Sequence, residues 1–462
     1  GPGPRCATLT CDCERREAGQ ANRVTRTAAA RRPSPPTLLY RRPPTRMKVK
    51  RSRQERGDTR SDELGEQLVR NQQTEGAARS IYVVVNIWDA RPVHSFYKVD
   101  YPYPTEKNPR RRLLPVATLE IEGGKAFVSL RTRRRKWIVA VGGRQSTVVF
   151  DAETEEVIHG PSLLNEKERP VVVAVGDKIY ALSSSPRVKG NRDFEPWFEV
   201  LDLSAARVVD GCLVDCSWKE LPSPPCFPCQ LTALEFFHPP MVTVQSYAVV
   251  GSYLLLSLRS NQQATYAFDT ISAKWHKVHD SESLPFIGRP TPQQQQQQQH
   301  GGALYLGESA QGNDRWSSVA LQRDPAVISA YTIKLSSCKK EDDDSIKLSI
   351  TEFPVRSSET CNAVTGTHYS SLDKGIFCSL DWKSRKRGTH SWDDDILADE
   401  VHYSKKATMT FRTYQIEDNS LLQEETLAAK KIAISEQPEQ AFKIHAISGG
   451  IVSPAFLTAF NT

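Results

Sequence analysis

The chain has 462 residues, of which 25 % are charged and 39 % hydrophobic, with a mean hydropathy of -0.48. That balance allows a sizeable buried core. An integral membrane protein is excluded, because the longest apolar run, 248–258, is broken by Gly251 and Ser252 and falls short of the roughly 20 residues a spanning helix needs. The net charge of +7 is uneven: residues 1–70 hold 17 Lys or Arg against 8 acids, so the rest of the chain is close to neutral. Phosphate-driven affinity needs a basic face on the folded part, so nucleic acid is expected to bind, if at all, only through the N-terminal tail.

Residues 1–75 are rich in Arg, Pro, Ala and Gln and show neither helical nor strand periodicity. Such a segment cannot bury enough apolar surface to offset its ordering entropy, and a disordered basic region is expected there. The first methionine is Met47, followed by Lys48-Val49-Lys50-Arg51, and a natural start at that position is an alternative to a functional tail. The N-terminus lacks the apolar core of a signal peptide, and the ten cysteines have no framework spacing. A reducing, cytoplasmic or nuclear location is expected.

From Ile81 onward the texture changes to short apolar runs separated by Gly, Asp, Ser and Pro. Examples are Ile81-Tyr82-Val83-Val84-Val85, Trp137-Ile138-Val139-Ala140-Val141 and Tyr253-Leu254-Leu255-Leu256. These are strand signals at short spacing. A single segment, 421–431, has a helical pattern. An apolar residue followed by Asp recurs at Val99-Asp100, Phe150-Asp151, Leu201-Asp202 and Phe268-Asp269, with Asp separations of 51, 51 and 67. The Asp side chain can close an Asx-type turn on its own backbone, after which Val157, Trp218 or Trp275 opens the next strand. A second hairpin precedes the Asp, as in Val175-Gly176-Asp177-Lys178, where Gly-Asp supplies positive-φ turn residues.

Each unit is thus a four-stranded meander of about 50 residues, the size of a propeller blade. One such sheet cannot cover its own apolar faces, whereas a radial set can. The expected fold is an all-β, six-bladed β-propeller spanning 76–462, with five or seven blades as alternatives. The units fall near 81–121, 125–163, 171–222, 246–285, 300–354 and 361–419. The first begins on what should be its second strand. Segment 441–447 is the expected donor of the missing innermost strand, closing the ring and removing two exposed edges.

Gly142-Gly143, Tyr180, the strand-ending Asp positions and Trp218 or Trp275 resemble degenerate kelch repeats. The Met47-Lys48-Val49-Lys50-Arg51 opening, the His94-Ser95-Phe96-Tyr97-Lys98-Val99-Asp100 strand and the segment from Trp218 to Pro225 are similar to a kelch-like family of unknown function that is expanded in grasses. The resemblance covers most of residues 47–420. It implies a propeller and a plant source, and it implies no activity.

Several residue groups offer chemistry. Cys212, Cys216, Cys226 and Cys229 lie close enough in sequence to hold zinc, but a strand running through Trp218 separates the two pairs, and no metal is expected. The acidic cluster around His390, Asp393, Asp394, Asp395 and His402 fits no calcium loop and reads as a solvated insertion. Arg110-Arg111-Arg112 and Arg133-Arg134-Arg135-Lys136 read as charges that solvate hairpin ends and protect strand edges.

Nucleophile-elbow, phosphate-loop, dinucleotide and zinc-protease patterns do not occur. The expected function is therefore a non-catalytic, monomeric protein-interaction scaffold with no cofactor. The alternatives are a nuclear regulator using its basic tail on nucleic acid, and a propeller hydrolase. Four segments are long, 183–196, 211–216, 222–244 and 383–402, and all but 211–216 are expected on one face, with Phe194, Trp197, Phe227 and Trp392 as aromatic anchors for a protein partner.

Overall fold

The computed structural model describes most of residues 79–461. Residues 1–78 and the longer connections 185–195, 228–242, 293–302, 311–327, 358–367, 387–402 and 417–431 lie outside the described residues, as do several shorter ones. The expected disordered tail, the helical pattern at 421–431 and the acidic cluster at 390–402 fall there. All regular elements among the described residues are β-strands.

In chain order, β1 (Arg79–Trp88), β2 (Val93–Tyr101) and β3 (Ala117–Glu120) form an antiparallel meander. The next comprises β4 (Ala126–Arg131), β5 (Lys136–Val141), β6 (Val148–Asp151) and β7 (Val157–His159). The third begins with β8 (Val171–Val175), β9 (Lys178–Leu182) and β10 (Phe198–Asp202). An inserted hairpin of β11 (Arg207–Val209) and β12 (Cys212–Val214) then precedes β13 (Trp218–Glu220), which pairs with β10. The fourth holds β14 (Thr243–Val250), β15 (Tyr253–Arg259), β16 (Thr265–Asp269) and β17 (Lys274–His279). The fifth holds β18 (Phe286–Pro292), β19 (Ala303–Ser309), β20 (Ile328–Lys340) and β21 (Asp343–Ser357). In the last, β22 (His368–Asp373) pairs with β23 (Ile376–Lys386) and β23 with β24 (Tyr403–Ile416). The far edge of β24 is shared by β25 (Ile432–Glu436) and β26 (Gln440–His445). Finally β27 (Ile451–Asn461) returns to pair antiparallel with β1 along its whole length.

The strand that completes the first meander is therefore 451–461, and not 441–447 as the sequence suggested. The reason is burial. Ile81 to Val85 of β1 are at most 1 % exposed, so a neighbouring strand must tolerate burial on both faces, as Leu457, Thr458, Ala459 and Phe460 do. In β26 the exposed Lys443 alternates with buried Phe442 and Ile444, which suits an outer strand with one wet face. The fifth unit also differs, starting at Phe286 rather than near 300. Its first strand, Phe-Ile-Gly-Arg-Pro-Thr-Pro, reads as a linker because proline cannot donate to a ladder.

The first strands of the successive meanders, β27, β4, β8, β14, β18 and β22, contact one another in that cyclic order, with β22 returning to β27. The apolar clusters follow the same order. Alternate residues of each strand serve opposite neighbours: Ile81, Val83 and Val85 pack against Leu380 and Phe411 of the last meander. Tyr82 and Val84 pack against Ile138 and Phe150 of the second. Similar clusters join the second meander to the third, the third to the fourth, and so on to the sixth. Each sheet is thus buried on both faces by its neighbours.

The repeated Asp residues act as the sequence suggested in three units. Asp151 Oδ1 accepts from the Glu153 amide at 2.8 Å, Asp202 Oδ1 from Ser204 at 2.9 Å and Asp269 Oδ1 from Ile271 at 3.0 Å. The bulky residues flanking the turn are cross-strand partners: Phe150 with Val157, Leu201 with Trp218, and Phe268 with Trp275. Asp100 instead accepts from Ser80 Oγ at 3.2 Å.

The link from β7 to β8 is clamped from both sides. Gly142, at φ +110°, leaves room for Pro170 and the Lys167 carbonyl, which would lie 2.6 and 2.8 Å from a Cβ there. Beneath it, the Lys167 ammonium pairs with the Glu199 carboxylate, the two side chains being 1 % and 0 % exposed. Glu199 also accepts from the Leu164 amide at 2.7 Å, and Lys167 donates to the Pro196 carbonyl at 2.8 Å.

Candidate functional site

The ring of first strands encloses a cavity of about 1040 Å³. All six of these strands contribute lining residues: Phe456 from β27, Ser129 and Arg131 from β4, Ala174 from β8, Tyr247 from β14, Arg289 from β18 and Ser370 from β22. Its charged lining is one-sided. Lys125, Arg131, Arg169 and Arg289 face a single carboxylate, Glu308, among the described residues.

The enclosing protein perturbs these groups. Arg131 is exposed to the cavity, yet desolvation by the surrounding wall, with the positive charges of Arg79 and Arg289 added to it, brings its guanidinium down to about 10. Burial also lowers Arg289, while the nearby Tyr247 and Tyr305 hydroxyls partly offset the effect. His368 at the start of β22 is held at about 4 by burial, so it is neutral at physiological pH. A cavity with this lining can hold a small anion and offers little to a cation.

The aromatic anchors expected from sequence are placed differently. Trp197 and Phe227 are 4 % and 2 % exposed and pack edge to face at 5.6 Å within the core between the third and fourth meanders. They are core residues and not exposed anchors. Phe194 and Trp392 lie outside the described residues.

Of the cysteines, Cys212 is exposed on the inserted hairpin, and Cys216 and Cys226 are half-buried. Burial pushes the Cys226 thiol up to about 12. Cys229 lies outside the described residues. No group of three or more metal-ligating side chains occurs among the described residues. The basic run at 133–136 contributes a stitch between sheets. Arg135 donates to the Leu203 and Ala206 carbonyls, both at 2.5 Å, and stacks over Trp137 with its guanidinium 4.6 Å from the ring centre.

Sequence reasoning passed over the cavity residues, because they come from strands far apart in the chain. The nearest signal is Gly288-Arg289-Pro290, an arginine between a conformationally permissive glycine and a proline that fixes its own φ.

A family model described as "Protein of unknown function (DUF1668)" matches residues 78–431. The chain belongs to the DUF1668 family. The matched region of this DUF1668 chain contains the first strands β4, β8, β14, β18 and β22 and stops before β27. No curated protein matches the chain. Among solved structures it is similar to Kuenenia stuttgartiensis hydrazine synthase, at 9 % identity and a TM-score of 0.32, over 80 % of this chain and 92 % of that one.

Proposed function

We propose that this DUF1668 chain is a six-bladed, kelch-like β-propeller of plant origin that acts inside the cell as a non-catalytic protein-interaction scaffold. The cyclic contacts of the first strands support six blades closed by β27.

The observation that carries the interaction reading is the distribution of connection lengths. In an antiparallel meander the connections from second to third strand, and from fourth strand to the next unit, leave from the same end. The long connections β9–β10, β13–β14, β19–β20, β21–β22 and β23–β24 are all of these two kinds. At the opposite end β8–β9 and β14–β15 are joined by the two-residue turns Gly176-Asp177 and Gly251-Ser252, and three connections are the exceptions: β10–β13 with its inserted hairpin, β18–β19 and β24–β25. Length variation gathered at one end of a rigid scaffold is how a binding surface changes without disturbing the core.

The test uses the full chain as affinity bait, with 228–242 or 387–402 replaced by short Gly-Ser connections and 417–431 replaced as the control. Loss of a reproducible partner in the first two variants alone supports the reading. Loss in the control alone overturns it.

A further inference from the structure

Arg131 is the last residue of β4, and Arg289 lies in β18. In the cyclic order of contacts, β8 and β14 separate these strands on one side and β27 and β22 on the other. The two residues therefore approach the cavity from opposite walls. They still sense each other, since the Arg289 charge contributes to the perturbation of Arg131.

The β18 backbone is shaped to present its arginine. Gly288 has φ +65°, Pro290 follows, and the pairing with β19 jumps from Ile287 to Thr291. Residues 287 to 292 all line the cavity, where an unbulged strand would alternate between its two faces.

Among the described residues neither guanidinium has a carboxylate partner. Arg131 Nη2 donates to Thr458 Oγ1 at 3.4 Å, and its guanidinium lies 5.3 Å from the Phe460 ring centre. Arg289 has the Tyr247 and Tyr305 hydroxyls within electrostatic reach. Arg79 shows the contrast, being paired with Asp373 at 3.1 Å. Two guanidiniums facing each other in a partly desolvated space repel, and an anion between them converts that repulsion into attraction.

We propose that the cavity binds a small multivalent oxyanion, a phosphate- or carboxylate-bearing molecule, held between the Arg131 and Arg289 guanidiniums with the Tyr247 hydroxyl as a third donor. The guanidinium fork matches both oxyanions through paired N–H donors. A cavity of about 1040 Å³ is at the upper end of the size range for small-molecule sites. This site does not depend on the interaction surface proposed above.

The test is calorimetric titration of the full chain with pyrophosphate and, separately, with citrate, at constant ionic strength. Saturable binding of one probe molecule per chain is expected. Pyrophosphate alone would assign a phosphate ligand, citrate alone a carboxylate ligand, and both would show that charge governs. Arg131→Gln and Arg289→Gln should each weaken binding by about tenfold or more, the loss of one charge-assisted contact. Arg131→Lys keeps the charge but not the fork, and it should weaken binding as well. Without probe, the Arg131→Gln/Arg289→Gln double variant should melt no lower than the parent, because a repulsion has been removed. Failure of both probes to bind the parent, undiminished binding in Arg131→Lys, or binding that survives the double substitution would overturn the proposal.

Discussion

Glu199→Gln removes one charge from a pair that has almost no contact with water. The Lys167 and Glu199 side chains are 1 % and 0 % exposed, so neither solvent nor salt can take over the role of the missing partner. Breaking such a pair by removing one member costs about 3–5 kcal/mol. Replacing both members with apolar residues is often neutral or stabilising elsewhere. Here the carboxylate has a second duty, because it also accepts from the Leu164 amide at 2.7 Å. Lys167→Met/Glu199→Leu leaves that half-buried amide without its side-chain acceptor, at a cost of about 1 kcal/mol. The expected order of stability is therefore parent, then the apolar double variant, then Glu199→Gln. Urea unfolding followed by tryptophan fluorescence reads all three, with Trp197 next to Pro196, whose carbonyl accepts from Lys167. The reasoning fails if Glu199→Gln lies within about 1 kcal/mol of the parent, or if the double variant equals or exceeds the parent.

Three further outcomes are expected. His94 is 2 % exposed and held at about 4 by burial and the nearby Lys125, below its unfolded value near 6.5. The unfolded state then binds the extra proton first, so this contribution is complete above about pH 6.5 and about 3 kcal/mol is lost as the pH falls to 4; urea midpoints of the parent and His94→Gln should converge on acidification. Gly142→Ala should cost about 3 kcal/mol, since a Cβ there meets the Gly124 and Lys167 carbonyls at 2.7 and 2.8 Å. Gly176→Ala, at φ +58° in open space, should cost about 1 kcal/mol in the same denaturation series. Deleting 451–462 should abolish the cooperative melting transition seen by calorimetry, and a peptide of 451–461 added in trans should restore part of it.

The parts of the fold that are local in sequence were legible. Each Asx turn needs only an Asp and the amide two residues later, and the Gly176-Asp177 hairpin only two turn residues between apolar runs, so the repeat could be read without tertiary information. The closing strand was not legible. Ala-Phe-Lys-Ile-His and Pro-Ala-Phe-Leu-Thr-Ala-Phe are both plausible strands, and the choice depends on whether the neighbour demands one buried face or two. Phe286–Pro292 was hidden by its glycine and prolines, which break ladder rules that a bulged cavity strand does not need to obey. Trp197 and Phe227 drew attention as aromatics beside long connections, and their mutual burial could not be read from position alone. The cavity arginines were out of reach for the same reason, since strand order around a ring determines which distant residues meet.

The pairing of β1 with β27 also bears on how the protein is made. These two strands are separated by every other strand of the ring. During synthesis β1, buried on both faces over Arg79–Val85, emerges before the other ring strands and has only β2 beside it until β27 leaves the ribosome. Its other edge is a row of unpaired backbone donors and acceptors flanked by Val83, Val84 and Val85, a template for pairing with a neighbouring nascent chain. Closing so long a loop is also slow compared with forming the local hairpins. Demand on chaperones during translation should therefore concentrate on the first meander, and production at low temperature or with slowed initiation should raise the yield of closed rings.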